Sequence, residues 1–147
     1  KAEKMGCTQV LWLDGVHRKY VEEVGTMNVM FMIDGEIYTA PCDGTVLPGV
    51  TRDSIIHILK SWGYKVNEMH LSIDDLMKAG EDKTLQEAFG TGTAAVISPI
   101  GELRYKGEEV TINDFKTGEL TQKLYDTLTG IQWGNVEDTF GWTKEVK

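Results

Sequence analysis

Apolar positions along the chain alternate between two periods, and each change of period marks a new element. Val10 to Leu13 is a short continuous apolar run that ends at Asp14-Gly15, a turn dipeptide, so it predicts a buried strand. Lys19 to Glu22 leads into a second extended stretch. Val29 to Ile33 and Glu36 to Thr39 flank Asp34-Gly35, a two-residue connection that signals a hairpin. The period then lengthens. Ile55, Ile58, Leu59 and Trp62 recur at i, i+3, i+4 and i+7, which predicts an amphipathic helix with Thr51 as its N-cap and Gly63 as its stop. Lys65 to His70 reads as a short strand, and Ser72 with Asp75 resembles a capping box ahead of a helix over Ile73 to Ala79. Glu102 to Tyr105 and Glu109 to Ile112 form a second hairpin pattern around Lys106-Gly107. Leu120, Leu124, Leu128 and Ile131 then line one face of a closing helix. Mixed strands interleaved with three or four helices predict an α+β fold. With no repeat, low-complexity tract or linker, residues 1–147 read as one domain.

Composition narrows the partners. Apolar content of 41% with 26% charged residues suits a globular domain. A net charge of −8 with three Arg argues against nucleic acid, whose phosphates need clustered basic residues. No run approaches a membrane span and no basic-then-apolar leader opens the sequence, so a cytoplasmic location is expected. Cys7 and Cys42 stand far apart, with no C-x-x-C and no His at metal spacing, which predicts two reduced thiols and no metal site. Lys1 to Met5 reads as the last turns of a helix stopped by Gly6. That uncapped start, with no initiator Met, suggests a stretch of something longer.

Three blocks carry the candidate chemistry. Glu23-Val24-Gly25-Thr26-Met27-Asn28 sets a carboxylate within apolar strand sequence. From pattern alone, Glu23 reads as a strand residue whose carboxylate faces water; Glu22 stands beside it, but only Glu23 is directly followed by Val-Gly-Thr-Met-Asn. Leu47-Pro48-Gly49-Val50-Thr51-Arg52 makes a tight turn into a helix, whose first N–H groups lack partners and, with the helix dipole, suit an anion. Phe89-Gly90-Thr91-Gly92-Thr93-Ala94-Ala95 reads as a Gly-rich connection from a helix end to a strand over Ala95 to Ile97. Its successive N–H groups can form an anion-binding nest or serve only chain reversal.

In this order and spacing the blocks resemble the cofactor-binding large domain of a branched-chain amino acid aminotransferase, of the D-amino acid aminotransferase-like fold (fold type IV). The resemblance runs from Gln9 to Trp142. It implies strands curled into a partly closed barrel with flanking helices, pyridoxal 5'-phosphate as cofactor, and branched-chain amino acids and 2-oxo acids as substrates. It further implies a homodimeric parent with a separate N-terminal small domain. Carried over by motif, Glu23 contacts the pyridine nitrogen, Thr26 sits near the ring and Leu47 lies against it. The backbone at Val50 and Thr51, with the Thr51 hydroxyl, holds the phosphate, helped by Thr93, and the amides of Thr93 and Ala94 donate to the substrate α-carboxylate. Met27 and Asn28 read as packing and local hydrogen bonding, and Arg52 as a structural or surface residue. The redox-active cysteine pair of some relatives is replaced by Ala95 and Ser98. None of the twelve lysines matches the family's Schiff-base lysine. That residue is therefore expected upstream of residue 1, with no catalytic lysine in the chain and no activity from the chain alone. A D-amino acid aminotransferase or aminodeoxychorismate lyase domain, or a lysine-less binding module, are the alternatives.

Overall fold

A computed structural model describes residues 10–16, 19–25, 27–42, 46, 49–92, 96–105, 108–113 and 116–133. The element order is β1 (Leu11–Leu13), β2 (Val21–Val24), β3 (Met27–Ile33), β4 (Glu36–Thr39), α1 (Val50–Ser61), β5 (Val66–Glu68) and α2 (Ile73–Glu81). There follow β6 (Leu85–Gly92), β7 (Val96–Pro99), β8 (Glu102–Tyr105), β9 (Glu108–Thr111) and α3 (Glu119–Trp133). The helix expected over Lys1 to Met5 and the tip at Lys106-Gly107 lie outside the described residues.

The first seven strands form one sheet, and β8 pairs with β9 alone. Pairing is antiparallel except between β4 and β5, which makes the fold a mixed α+β arrangement. The strand β3 sits at the centre. Its whole length from Asn28 to Ile33 pairs with β6 along one edge. The opposite edge is shared, with β2 on Met27 and Asn28 and β4 on Met30 to Ile33. The segment after β5 stitches those two neighbours together: Met69 N–H donates to the Thr39 carbonyl at 3.0 Å, and Val21 N–H to the Leu71 carbonyl at 2.9 Å. The sheet therefore curls into a half-barrel.

Local chemistry accounts for the turns that permit this. Asp34 and Gly35 both have positive φ, 53° and 82°, the geometry whose twist matches two flanking antiparallel strands. Helix α1 ends in a Schellman arrangement: Tyr64 N–H donates to the Leu59 carbonyl and Gly63 N–H to the Lys60 carbonyl, with Gly63 at φ 87°. The Ser72 side chain accepts from Asp75 N–H at 3.1 Å and caps α2.

One expectation needs correcting. The residues ahead of Phe89 are no helix end but β6, an eight-residue strand. Leu85, Ala88 and Phe89 have helix-like spacing. In fact Leu85, Glu87, Ala88, Phe89, Gly90 and Thr91 are all buried, because both faces of β6 are covered. A strand buried on both faces loses the alternation that identifies strands in sequence. The block from Phe89 onward is therefore the β6–β7 hairpin.

The two faces of the sheet carry separate cores. On one, Met30, Ile37, Phe89 and Ile97 meet Ile55, Ile58 and Leu59 of α1 and Leu120, Leu124 and Leu128 of α3. On the other, Val24, Val29, Phe31 and Ala88 meet Leu76 of α2 and Leu103 and Val110 of the β8–β9 hairpin. Each fully buried Ile, Leu or Phe contributes roughly 1.5–3 kcal/mol relative to exposure. Both helices of the first face are thus fixed firmly enough for their ends to serve as parts of a site.

Candidate functional site

Val21 and Val24 are both buried although three residues apart, which a regular strand forbids. The register explains it. Trp12 pairs with Glu23 and Leu13 with Val21, so Glu22 is an extra residue on β2. A bulge of this kind re-aims side chains locally. It leaves Glu22 and Glu23 half-buried between two core valines. Glu23 then lies in a continuous cross-strand row: Trp12, Glu23, Asn28, Thr91 and Ile97 on β1, β2, β3, β6 and β7. Directly paired residues share a face with Cβ atoms about 4.5–5.5 Å apart. Ile97 belongs to the core beneath α1 and α3, so the row occupies that face.

The start of α1 is brought onto the same row. Gly49 is the N-cap, with φ −67° and ψ 139°, and no side chain caps the first turn. Thr51 is therefore not the N-cap but a first-turn residue. A Cβ added at Gly49 would overlap Asn28 Oδ1, so glycine is what lets the helix end approach β3 this closely. Arg52 holds the approach from behind. It is buried, and its Nη2 donates to the Ala40 carbonyl at 3.0 Å and to Glu68 Oε1 at 2.8 Å. It is thus a structural residue rather than a surface one. Val50, by contrast, is 84% exposed at the helix tip. Gly49→Ala should push α1 away from Asn28 and weaken phosphate-anion binding at least about tenfold, with little change in overall fold by circular dichroism. Unaltered anion affinity would show that the helix end holds nothing.

The other end of the row is fixed by backbone. Gly25 has φ 56°; its N–H donates to the Val10 carbonyl at 2.7 Å and its carbonyl accepts from Trp12 Nε1 at 3.0 Å. This clamps the turn that follows Glu23. Of the residues singled out from sequence, Glu23, Val50 and Thr51 are described, while Thr26, Leu47, Thr93 and Ala94 lie outside the described residues. Sequence reasoning treated Asn28 as packing and local hydrogen bonding, placed Gly49 only in the turn ahead of the helix, and gave Trp12 and Thr91 no role of their own. Thr91 is 1% exposed, and its Oγ1 has no hydrogen-bond partner. Its presence inside the third block was the available signal.

Together the residues offer uncapped helix N–H groups for an anion and a carboxylate for a protonated nitrogen, on one face of one sheet. A molecule with a phosphate at one end and a basic ring nitrogen at the other, such as pyridoxal 5'-phosphate, fits that donor set. Among the described residues no group of His, Cys, Asp and Glu could hold a metal ion, and no helix is long and apolar enough to cross a membrane.

Comparison with known proteins agrees in kind. The amino-transferase class IV family matches residues 1–103. The chain is 57% identical over 145 residues to branched-chain-amino-acid aminotransferase 2 of Bacillus subtilis (strain 168), covering 99% of this chain and 40% of that protein. It is 54% identical, over the same shares, to a probable branched-chain-amino-acid aminotransferase of Staphylococcus epidermidis. Among solved structures, the branched-chain amino acid aminotransferase of Escherichia coli superposes with a TM-score of 0.80 at 30% identity, over 99% of this chain and 44% of that one. The T.th. branched-chain amino acid aminotransferase complexed with N-(5'-phosphopyridoxyl)-L-glutamate gives 0.79 at 29%, over the same shares. The chain thus spans about 40% of the length of the curated relatives it matches. A half-barrel with this row of side chains, matched by family and by fold, makes the chain a member of the amino-transferase class IV family.

Proposed function

We propose that the chain is the cofactor-binding large domain of a branched-chain amino acid aminotransferase, which moves the amino group of leucine, isoleucine or valine to 2-oxoglutarate. The observation that carries this reading is the meeting of two features on one sheet face: the Glu23–Asn28–Thr91 row and the uncapped N-terminus of α1. When bound, pyridoxal 5'-phosphate supplies electron withdrawal from the α-carbon of the amino acid. Glu23 keeps a proton on the ring nitrogen through a charge-assisted hydrogen bond worth roughly 1.5–3 kcal/mol. The amides of Val50 and Thr51 and the Thr51 hydroxyl seat the phosphate, and Thr93 contributes to its binding. Thr26 and Leu47 fix the ring, and the amides of Thr93 and Ala94 orient the substrate α-carboxylate. In this reading the lysine that holds the aldehyde lies upstream of residue 1, and the arginine that completes the phosphate site comes from the N-terminal half of the parent. The enzyme works as a cytoplasmic homodimer in this reading.

Borohydride reduction of the isolated 147-residue chain with pyridoxal 5'-phosphate, followed by peptide mapping, tests that division of labour. Scattered or absent lysine labelling without turnover is expected. Stoichiometric labelling of one lysine together with leucine-dependent transamination would mean that the chain carries its own catalytic lysine.

A further inference from the structure

Thr91 is the one buried hydroxyl among the described residues that makes no hydrogen bond. It is 1% exposed, so bulk water does not serve it. An isolated buried hydroxyl without a partner is destabilising, a penalty that a valine of nearly the same shape would avoid. Every other buried threonine at this face is satisfied: Thr39 donates to the Val29 carbonyl at 2.8 Å and Thr121 to Glu87 Oε1 at 2.7 Å. The orphan is therefore a property of the Thr91 position rather than of threonines in this core.

That position is specific. Thr91 pairs directly with Asn28, so the two side chains share a face, and Asn28 Oδ1 abuts Gly49 at the N-terminus of α1. The unsatisfied hydroxyl stands one residue pair from the helix end whose first N–H groups no side chain caps. It also lies at the end of β6, next to the connection that leads into β7.

We propose that Thr91 is a further phosphate-binding residue, its hydroxyl donating to an oxygen of the anionic group seated at the α1 N-terminus. This rests on the cofactor reading above. It adds a third hydroxyl to a seat already assigned to Thr51 and Thr93. A hydroxyl that the fold itself leaves without a partner is preorganised for a ligand oxygen, because no internal bond must break for it to donate.

The role predicts effects of opposite sign on stability and on binding. In the complete enzyme, T91V should weaken binding of pyridoxal 5'-phosphate about tenfold, the loss of one hydrogen bond to a charged oxygen. Binding of pyridoxal, which has the ring but no phosphate, should stay within about twofold of wild type. The unfolding temperature of the cofactor-free T91V protein should equal or exceed that of wild type. T91S keeps the hydroxyl and should retain phosphate affinity within about threefold. Equilibrium dialysis with both ligands, with thermal unfolding of each apo protein, reads all of these. Equal weakening for both ligands, or T91V affinity for the phosphate form at the wild-type level, would overturn the assignment and leave Thr91 a packing residue. Wild-type protein that binds pyridoxal 5'-phosphate no more tightly than pyridoxal would overturn the cofactor reading itself, and the Thr91 assignment with it.

Discussion

Glu23→Ala in the complete aminotransferase should lower kcat on the order of a hundredfold or more, while Glu22→Ala should lower it less than about threefold. The first change removes the carboxylate that keeps the ring nitrogen protonated, and loss of one preorganised electrostatic partner of a developing charge has this order of effect. The second acts on the residue inserted by the β2 bulge, beside the row rather than in it. The register separates them: Glu23 pairs with Asn28 on one side and Trp12 on the other, so it belongs to the face onto which α1 delivers its N-terminus. Glu23→Gln keeps the shape and loses the charge, so it should behave like Glu23→Ala in kcat with a smaller rise in cofactor dissociation. Steady-state kinetics at saturating cofactor decide the matter. Comparable losses from the two alanine variants would mean that the bulge aims Glu22, not Glu23, at the ring.

Elements whose cause is local were legible in the sequence. The Asp34-Gly35 hairpin, the Gly63 stop and the Ser72 cap each follow from backbone preferences of two or three residues, and each is found where those preferences put it. Helix α3 was legible for a related reason: Leu120, Leu124, Leu128 and Ile131 repeat at helical spacing, and all four are buried. What was not legible depends on what packs from elsewhere. β6 reads as helix because its apolar residues are judged alone, yet pairing with β3 and β7 on its two edges makes it a strand. The N-cap of α1 was misassigned to Thr51 because a hydroxyl is the usual cap. The real start is at Gly49, where the close approach of Asn28, twenty-one residues earlier and on another element, leaves no room for a side chain.

The candidate site shows the same division. Motif resemblance singled out Glu23, Val50 and Thr51, residues whose neighbours in sequence are distinctive. It did not single out Thr91, whose interest arises only when its hydroxyl proves to be buried and unpartnered. Nor could it find the Trp12 clamp on Gly25, which requires the β1–β2 register. A bulge shifts every side chain beyond it to the other face, and one extra residue cannot be read from the strand that carries it.

The largest loss of stability should come from Glu87→Ala, in the strand that sequence reasoning misread. Glu87 is 9% exposed, and its carboxylate organises the start of α3. Oε2 accepts from Leu120 N–H at 3.1 Å, while Oε1 accepts from Thr121 N–H at 2.8 Å and from the Thr121 hydroxyl at 2.7 Å. A strand residue thus supplies the N-terminal cap that α3 lacks from its own sequence, and its charge opposes the positive end of the helix dipole. A Cβ at Gly118 would overlap the same carboxylate, so the two elements are fitted to each other there. Removing the side chain strands two amide donors and a hydroxyl in a buried site and opens a cavity between β6 and α3. About 3–5 kcal/mol is expected, a large share of the 5–15 kcal/mol typical of a domain. Glu87→Gln retains a single acceptor oxygen and should cost roughly half as much. Urea unfolding followed by far-ultraviolet circular dichroism measures both, with α3 expected to lose protection from hydrogen exchange before α1. A loss below about 1 kcal/mol for Glu87→Ala would show that water replaces the carboxylate and that packing of Leu120, Leu124 and Leu128 alone seats the helix.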